Sequence, residues 1–353
     1  MIKHLELKNF TVFRDLALDF SPKINVIIGE NGTGKTHILK AAYGLCAGAP
    51  LYKNNPDISS DDLKEKLTAK LLRLFMPMDE KIGKITSRER GEQTSMLATF
   101  GQDEKIEATF FKNSKLIDIQ DETNYKKNLS EAVFIPTKEV LSFMKGFNSL
   151  YDKYELSFDQ TYQDICLLLD LPEVRSDKLH EKSKWAMEEI EKICGGRFIF
   201  YGGGKVTFKT DTSEYSANAM AEGFRKAGML SRLLETGAIQ PGVSGSLFWD
   251  EPESNMNPKL MKQLVEILLE LSRNGQQVVL TTHDYVLLKW FDLLMDIDKG
   301  DHVIFHSLYR DEERDIKINS VEDYRQISEN AIADSFNDLT KEQVSKKMGA
   351  LGK

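Results

Sequence analysis

The sequence lacks the features typical of secreted, membrane and metal-cluster proteins. Its 353 residues include three cysteines, an odd number without the spacing of metal ligands. No apolar run approaches the ~18 residues that cross a bilayer, and residues 1–6 do not read as the start of a signal peptide. These absences predict a cytoplasmic protein with no membrane partner, in which Cys46, Cys166 and Cys194 are buried thiols in a reducing environment.

Basic residues are also fewer than acidic residues. Lysine and arginine number 47 against 55 aspartates and glutamates, for a net charge of −8, which argues against a protein that coats polyanions in general. The sum still leaves room for a local basic strip that binds DNA. One group of basic residues could form such a strip or could be solvated side chains interleaved with acids: Lys64, Lys66, Lys70, Arg73, Lys81, Lys84, Arg88 and Arg90.

A glycine-rich loop is the strongest motif that is present. Residues 29–36 read GENGTGKT, between the apolar run at 24–28 and a segment with helical spacing. Glycines let backbone N–H groups approach phosphate oxygens, and the N-terminus of the following helix adds partial positive charge. Lys35 can reach the terminal phosphates, and the Thr36 hydroxyl can ligate Mg²⁺. The loop therefore predicts a site for a nucleoside triphosphate.

Acidic and histidine side chains follow two later strands. The apolar segment before Asp250 and Glu251 reads as a short buried strand, and the next predicted strand runs into His283. We expect Asp250 to hold Mg²⁺ through a water, Glu251 to deprotonate the attacking water and His283 to hydrogen-bond the γ-phosphate. Each residue alone is usually structural. Their order along the chain, with a capped helix between the two strands, favours phosphoryl transfer to water.

The alternation of elements predicts an α/β fold. We expect a mixed, mostly parallel sheet flanked by helices, together with an antiparallel β-lobe and a helical lobe. Residues 1–28 alternate as a β-hairpin that leads into the strand before the glycine-rich loop. The predicted division is a nucleotide-binding core at 1–48 and 131–310, its helical lobe at about 140–235, an inserted β-lobe at 49–130 and a C-terminal helical segment at 311–353.

At these motifs the chain resembles ABC-type ATPases of the RecF, SMC and OLD kind. The resemblance rests on the Asn9-Phe10 hairpin, GENGTGKT, SLFWDEPESNMNP and VVLTTHD, and runs over most of residues 1–310. Residues 135–147 and 221–228 also resemble a bacterial subgroup found in anti-phage operons, near the ATPases of the Septu and PARIS systems. The resemblance implies an ABC-type P-loop NTPase core that binds ATP and Mg²⁺ and hydrolyses ATP.

The resemblance implies a role for each matching residue. Thr36 and Asp250 would hold Mg²⁺, Glu251 would be the catalytic base, and His283 would be the switch histidine that acts with Lys35 in catalysis. The phosphate-binding residues would be Asn31, Gly32, Thr33, Gly34, Lys35 and Thr36.

One departure from the family concerns a dimer interface. No Leu-Ser-Gly-Gly-Gln signature is present, and the nearest match, residues 220–226, has Gly223 but no signature serine. By family geometry, Gly223 and Arg225 would touch the γ-phosphate bound to the opposite subunit of a homodimer or higher homo-oligomer. Residues 253–258 would form the D-loop that crosses this interface. The alternative is that Arg225 and Lys226 face solvent.

A second departure lies in the loop after Ile135. Lys138 and Glu139 stand where relatives commonly have a glutamine that senses Mg²⁺, and Glu139 is a candidate for that position. For the adenine base, Phe10 and Phe13 are candidates, although both could equally be core residues.

Three functions are compatible with these motifs. The first is an ATPase whose ATP-driven dimerisation regulates a partner effector, a nuclease or toxin from a neighbouring gene, in anti-phage defence. The second is a RecF-like DNA-binding ATPase in DNA repair or maintenance, which predicts ATP-dependent and salt-sensitive binding of duplex DNA. The third, the ATPase subunit of a membrane transporter, is disfavoured by the missing signature and by the N-terminal hairpin.

Overall fold

The computed structural model describes residues 1–87, 91–101, 103–127, 130–154 and 156–351. Arg88 and Arg90 of the predicted basic group lie outside these ranges. Within the same ranges, no helix is long and apolar enough to cross a membrane. All three cysteines are free and buried, which confirms the prediction of buried thiols.

The strands of the described chain are β1 His4–Phe10, β2 Phe13–Asp19, β3 Ile24–Gly29, β4 Gln93–Thr99, β5 Lys105–Phe111, β6 Asp118–Asp121, β7 Val133–Ile135, β8 Arg197–Phe200, β9 Val206–Lys209, β10 Glu214–Ser216, β11 Leu247–Asp250, β12 Val278–Thr281, β13 Val303–Arg310 and β14 Ile316–Val321. The α-helices are α1 Lys35–Cys46, α2 Gly48–Asn54, α3 Ser60–Phe75, α4 Phe147–Lys153, α5 Gln160–Leu169, α6 Glu181–Cys194, α7 Glu222–Glu235, α8 Met261–Arg273, α9 Tyr285–Leu294 and α10 Ala331–Leu351.

A six-stranded sheet forms the centre of the molecule, in the order β14-β13-β3-β12-β11-β7. Its strands pair in parallel except for β14, which runs antiparallel to β13. Every residue of β3, β11 and β12 is buried, and these strands are mostly apolar, as is usual where a parallel sheet is covered on both faces. A five-stranded antiparallel sheet, β2-β1-β4-β5-β6, and a small one, β10-β9-β8, complete the strands. The predicted fold class is confirmed.

The predicted N-terminal hairpin is also confirmed. β1 and β2 pair antiparallel, with Phe10 opposite Phe13 across a two-residue turn. β1 pairs on its other edge with β4, so the antiparallel sheet joins the hairpin to strands from residues 49–130. The boundary between residues 48 and 49 stays a prediction.

The register of the central sheet decides which loops meet. Asp250 lies opposite Thr281 and Thr281 lies opposite Ile27, while Trp249 lies opposite Ile135. The loops that follow β3, β7, β11 and β12 therefore emerge together at the carboxyl ends of these parallel strands. In open α/β sheets, ligands bind outside the carboxyl ends of the strands, so these loops are candidates for a binding site.

The C-terminal segment is helical over only part of its length. We expected a C-terminal helical segment at 311–353, but Ile316–Val321 forms β14, and α10 begins at Ala331. β14 forms because β13 offers an open edge, with which it pairs antiparallel. A helical prediction misses a short edge strand of this kind, because its stability depends on a partner elsewhere in the chain.

Basic residues of the 49–130 segment pair with acids. Lys64 forms an ion pair with Asp118 and Lys70 with Asp164, and Lys84 lies 3.9 Å from the Asp79 carboxylate. For these three lysines the structure favours interleaved charges over a bare basic strip.

Candidate nucleotide-binding site

The loop between β3 and α1 has the backbone geometry of a phosphate cradle. Gly29, Gly32 and Gly34 have positive φ values of 149°, 77° and 90°, a region that residues with a Cβ rarely adopt. A Cβ on Gly34 would also lie 2.5 Å from the ring of Phe13. The loop therefore depends on the glycines that defined its motif.

The start of α1 and the Lys35 ammonium make this loop electropositive. α1 begins at Lys35 and continues for 12 residues, so its free N–H groups and the positive end of its dipole adjoin the loop. Lys35 Nζ donates to the carbonyls of Gly29 at 2.8 Å and Glu30 at 2.9 Å. Burial lowers the pKa of Lys35 to about 8, and three nearby carboxylates oppose that shift. A helix N-terminus with an adjacent cation is a favourable environment for phosphate.

The middle of the loop has both exposed and buried residues. Asn31 and Gly32 are exposed, whereas Thr33 is buried and its hydroxyl donates to the Glu30 carbonyl at 2.8 Å. The Thr33 side chain thus stabilises the loop from within. The phosphate-binding roles assigned to these residues stay predictions.

An arginine that sequence reasoning missed also lies at the loop. β13 runs parallel to β3 with Leu308 opposite Gly29, so the last residues of β13 stand beside the loop. Arg310 Nη2 donates to the Gly32 carbonyl at 3.0 Å. No local signal in the sequence indicates this contact, because it depends on which strand neighbours β3.

Three threonine hydroxyls surround the carboxylate of Asp250. Asp250 is only 5% exposed. It accepts hydrogen bonds from Thr36 Oγ1 at 3.0 and 3.1 Å, Thr281 Oγ1 at 2.6 Å and Thr137 Oγ1 at 3.0 Å. The structure thus brings together Thr36 and Asp250, which are 214 positions apart in the sequence. Thr137 was not predicted, although it follows the strand that neighbours β11.

The Thr36–Asp250 pair has the chemistry of a magnesium site. Mg²⁺ prefers oxygen ligands and usually takes only one or two from the protein, with phosphate oxygens and waters as the rest. Thr36 and Asp250 supply a hydroxyl and a carboxylate beside the start of α1. The residues present therefore fit Mg²⁺ bound together with a nucleotide.

Glu251 has a strained backbone conformation. Its φ of +49° lies in the left-handed region, which costs a non-glycine residue about 1–3 kcal/mol. Contacts hold both of its peptide groups: the N–H donates to Thr281 Oγ1 at 3.1 Å, and the carbonyl accepts from Lys226 Nζ at 3.2 Å. Strain of this kind clusters at functional sites, where the surrounding structure enforces it.

The side chain of Glu251 pairs with the predicted switch histidine. His283 Nε2 lies 3.1 Å from Glu251 Oε1, and both side chains are about one-third exposed, at 33% and 31%. The hydrogen bond with His283 lowers the pKa of Glu251, and the charges of Lys35 and Lys226 add to this effect, although burial opposes it. The carboxylate is thus ionised at neutral pH, which is the form a general base needs.

A further carboxylate orients the histidine loop. Glu253 Oε1 accepts from the Thr282 hydroxyl at 2.7 Å and from the His283 N–H at 2.9 Å. Burial raises the pKa of Glu253, and the negative charge of Glu251 adds to the rise, while these hydrogen bonds oppose it. Sequence reasoning placed Glu253 in the D-loop but gave it no role. The contacts of Glu253 thus fix the main chain of His283, the residue whose side chain pairs with Glu251.

Gly223 and Arg225 make contacts within their own chain. Gly223 lies in the first turn of α7, where a Cβ would approach Asn255 O of the D-loop to 3.1 Å. Arg225 Nε lies 2.8 Å from Glu139 Oε1, and its Nη1 donates to the Met220 carbonyl. The Arg225 side chain is only 13% exposed, so the alternative in which it faces solvent is wrong. Contact with a phosphate of the opposite subunit stays a prediction.

Lys226 and Glu139 also differ from expectation. Lys226 is fully buried rather than solvent-facing. The second carboxylate oxygen of Glu139 accepts from the Ser142 N–H at 3.1 Å, so Glu139 is engaged by its own loop and by α7. In this loop it is Thr137 that contacts Asp250.

The aromatic residues of the hairpin belong to the core. Phe10 and Phe13 are fully buried, and the Phe10 ring packs edge-on against Phe75 with centroids 5.1 Å apart. Neither ring has a free face on which a base could stack. The suggestion that they contact adenine is therefore wrong, and the core alternative is correct.

Two family profiles match this chain. A family described as AAA ATPase domain matches residues 1–227, which is more than half of the sequence. A second, an AAA domain described together with the AbiEii toxin and type IV toxin–antitoxin systems, matches residues 203–289. The first match includes the glycine-rich loop, and the second includes Asp250, Glu251 and His283.

Curated relatives include DNA replication and repair proteins named RecF. RecF of Lachnoclostridium phytofermentans is 44% identical over 57 residues, which are 16% of this chain and 16% of that protein. RecF of Bacillus cytotoxicus is 30% identical over 147 residues, which are 41% of this chain and 33% of that protein. The chain thus matches a third or less of the length of these relatives.

Solved structures extend the similarity to the whole fold. An SMC head bound to the C-terminal winged-helix domain of ScpA has a TM-score of 0.57 at 13% identity, covering 93% of this chain and 99% of that one. An SMC head with an extended coiled coil, bound to the C-terminal domain of ScpA from Pyrococcus furiosus, has a TM-score of 0.52 at 12% identity, covering 97% and 99%. At these identities the likeness shows the fold alone, which is that of an SMC head.

Proposed function

Because this chain belongs to the AAA ATPase domain family and is a RecF/SMC-like ABC-type ATPase, we propose that it hydrolyses ATP at the edge of its central sheet. One observation carries the proposal. The Thr36 hydroxyl lies 3.0 Å from Asp250, and the next residue, Glu251, holds an ionised carboxylate against His283. Together these groups supply a metal site, a base and its orienting partner next to a phosphate-binding loop.

The residues of the site would divide the reaction between them. Lys35 and the start of α1 would bind the phosphates of ATP, and Thr36 and Asp250 would hold Mg²⁺, which would supply positive charge to the phosphate oxygens. Glu251 would accept a proton from a water while the water oxygen bonds to the γ-phosphorus. The bond between the γ-phosphorus and the β-γ bridging oxygen breaks, which leaves ADP and phosphate. His283 orients Glu251 and can donate to the γ-phosphate.

We propose further that ATP closes a homodimer with two composite sites. Gly223 and Arg225 of one subunit would complete the site of the other, so that each subunit gives the same contacts that it receives. The proposal is supported by the packing of Gly223 against Asn255 of the D-loop, since the two elements assigned to the interface then lie side by side. For Arg225 to reach a phosphate across the interface, its ion pair with Glu139 must open.

Subunit mixing tests the composite sites. Lys35→Ala alone and Arg225→Ala alone are each expected to be inactive. Each composite site needs Lys35 from one subunit and Arg225 from the other, and in either homodimer both sites lack one of these residues. An equal mixture should recover about one quarter of wild-type ATPase activity, since half of the dimers are mixed and each mixed dimer has one intact site. The measurement is phosphate release after subunit exchange. No recovery, together with a monomeric mass by light scattering for Glu251→Gln with ATP and Mg²⁺, would contradict the dimer.

We propose in addition that the ATP cycle regulates an effector, a nuclease or toxin encoded nearby, in anti-phage defence in the cytoplasm. This proposal is supported by the resemblance of residues 135–147 and 221–228 and by a matching profile whose description includes the AbiEii toxin. The protein that copurifies with the tagged full chain would identify the effector.

A second candidate function is ATP-dependent DNA binding, which is favoured by the relatives named RecF. This function predicts that Glu251→Gln binds a labelled duplex more tightly with ATP than without it. It also predicts that the affinity falls steeply with salt as phosphate contacts are lost. Fluorescence anisotropy at two salt concentrations measures both effects. Binding that ignores ATP would exclude this candidate.

A further inference from the structure

Lys226 is a buried cation to which the proposed chemistry assigns no role. It lies in the second turn of α7 and is fully buried. Burial lowers its pKa, while the nearby carboxylates of Glu253, Glu222, Glu251 and Asp250 favour the charged form. Taking an ammonium group out of water is costly. Its presence beside the catalytic strand end therefore calls for a specific contact.

That contact is with the main chain of Glu251. Lys226 Nζ donates to the Glu251 carbonyl at 3.2 Å. On the other side of the same residue, the Glu251 N–H donates to Thr281 Oγ1 at 3.1 Å. Thr281 belongs to the central sheet and also donates to Asp250 at 2.6 Å. The left-handed backbone of Glu251 is thus held by the sheet on one side and by α7 on the other.

The position of α7 is itself closely fixed. In its first turn, Gly223 packs against Asn255 and Met256 so closely that a Cβ would lie 3.1 Å from atoms of both. Two residues beyond Lys226, Gly228 leaves no room for a Cβ beside the ring of Phe198 in β8. The D-loop and β8 therefore fix the helix on both sides of Lys226, and the placement of α7 decides whether Lys226 reaches Glu251.

We propose that Lys226 is a positioning residue for the general base. By holding the Glu251 carbonyl, Lys226 keeps the backbone in the left-handed conformation that directs the carboxylate to His283 and to the attacking water. Because α7 carries Lys226, the placement of this helix against the D-loop and β8 sets the conformation of Glu251. The inference rests on the proposed ATPase activity.

Lys226→Met tests this role, because methionine keeps most of the length of the side chain and removes the donor. We expect kcat for ATP hydrolysis to fall about 10- to 100-fold, the effect of losing one charge-assisted hydrogen bond that positions the base. KM and the affinity for a fluorescent ATP analogue should change by less than about twofold, since Lys226 does not line the phosphate loop. Lys226→Arg, which keeps a donor and the charge, should recover part of the lost kcat.

Two controls separate this role from a structural one. Arg232 lies on the same helix, is also buried and donates to the carbonyls of Leu169 and Leu171, so Arg232→Met should lower thermal stability and leave kcat per folded molecule unchanged. In single turnovers, adding Lys226→Met to Glu251→Gln should cause no further loss, because the group to be positioned is gone.

The outcomes distinguish the proposals. A wild-type kcat in Lys226→Met would overturn the positioning role. So would a double variant in which Lys226→Met lowers the rate of Glu251→Gln by the same factor by which it lowers the rate of the wild type. Either result would leave the ATPase proposal intact. If Lys226→Met does not fold, Lys226→Arg takes its place. A kcat below that of the wild type, with wild-type affinity for ATP, would support the positioning role. An unchanged kcat with altered affinity would overturn it. A wild-type protein that releases no phosphate would instead refute the proposed ATPase function itself.

Discussion

Replacing Lys35 with alanine is expected to weaken ATP binding by about 30- to 1,000-fold. Lys35 is 6% exposed and lies within the loop whose main chain would cradle the phosphates. Removing one member of a buried, hydrogen-bonded charge pair costs about 2–4 kcal/mol, which corresponds to this range of affinity. Titration of the full chain with a fluorescent ATP analogue and Mg²⁺ measures the loss.

Lys40→Ala is the matched control for this experiment. Lys40 lies on the same helix and forms a partly buried ion pair with Asp159 at 2.8 Å, but it is one turn further from the loop. Its removal should lower thermal stability slightly and leave the affinity for ATP unchanged. Equal affinities for Lys35→Ala and wild type would show that the glycine-rich loop does not bind the nucleotide.

Glu251→Gln should keep ATP binding and reduce hydrolysis by about 100- to 10,000-fold, the usual contribution of a general base. Glutamine has the same shape and can keep a hydrogen bond to His283, but it cannot take up the proton of the attacking water. The measurements are steady-state phosphate release and binding of the ATP analogue. Affinity within about threefold of wild type would show that the loss lies in the chemical step.

A carboxylate outside the site provides the comparison. Glu266 lies on α8, is partly exposed and pairs loosely with Lys262 at 3.6 Å, so Glu266→Gln should hydrolyse ATP at the wild-type rate. If Glu251→Gln were equally active, the base would have to be another group, and Glu253, the next carboxylate in this loop, would be the first to examine.

Much of the candidate site could be predicted because its parts are local in sequence. A glycine-rich turn between an apolar strand and a helix is determined by residues 29–36 themselves, and a strand that ends in Asp250 and Glu251 is visible in a few consecutive letters. The hairpin of β1 and β2 follows equally from short-range alternation. In each case the backbone conformation and the chemical groups belong to the same stretch of chain.

Residues whose function depends on a neighbour in space could not be predicted in this way. Thr137 and Arg310 reach the site only because β7 lies next to β11 and β13 next to β3. Phe10 and Phe13 could not be assigned to core or surface, because the sequence shows alternation but not which sheet face another element covers. The edge strand β14 was missed for the same reason.

The sequence alone determined that this chain has a glycine-rich loop of the phosphate-binding pattern, an aspartate followed by a second acid at a strand end, and a histidine after the next strand, because each of these is a short-range pattern. Only the tertiary structure decided that Glu251 is held in a left-handed conformation, that Lys226 and Thr281 hold its two peptide groups and that Arg225 pairs with Glu139. The physical reason is that strand register and helix packing bring distant residues within hydrogen-bonding distance, and neither is encoded in any one segment of the chain.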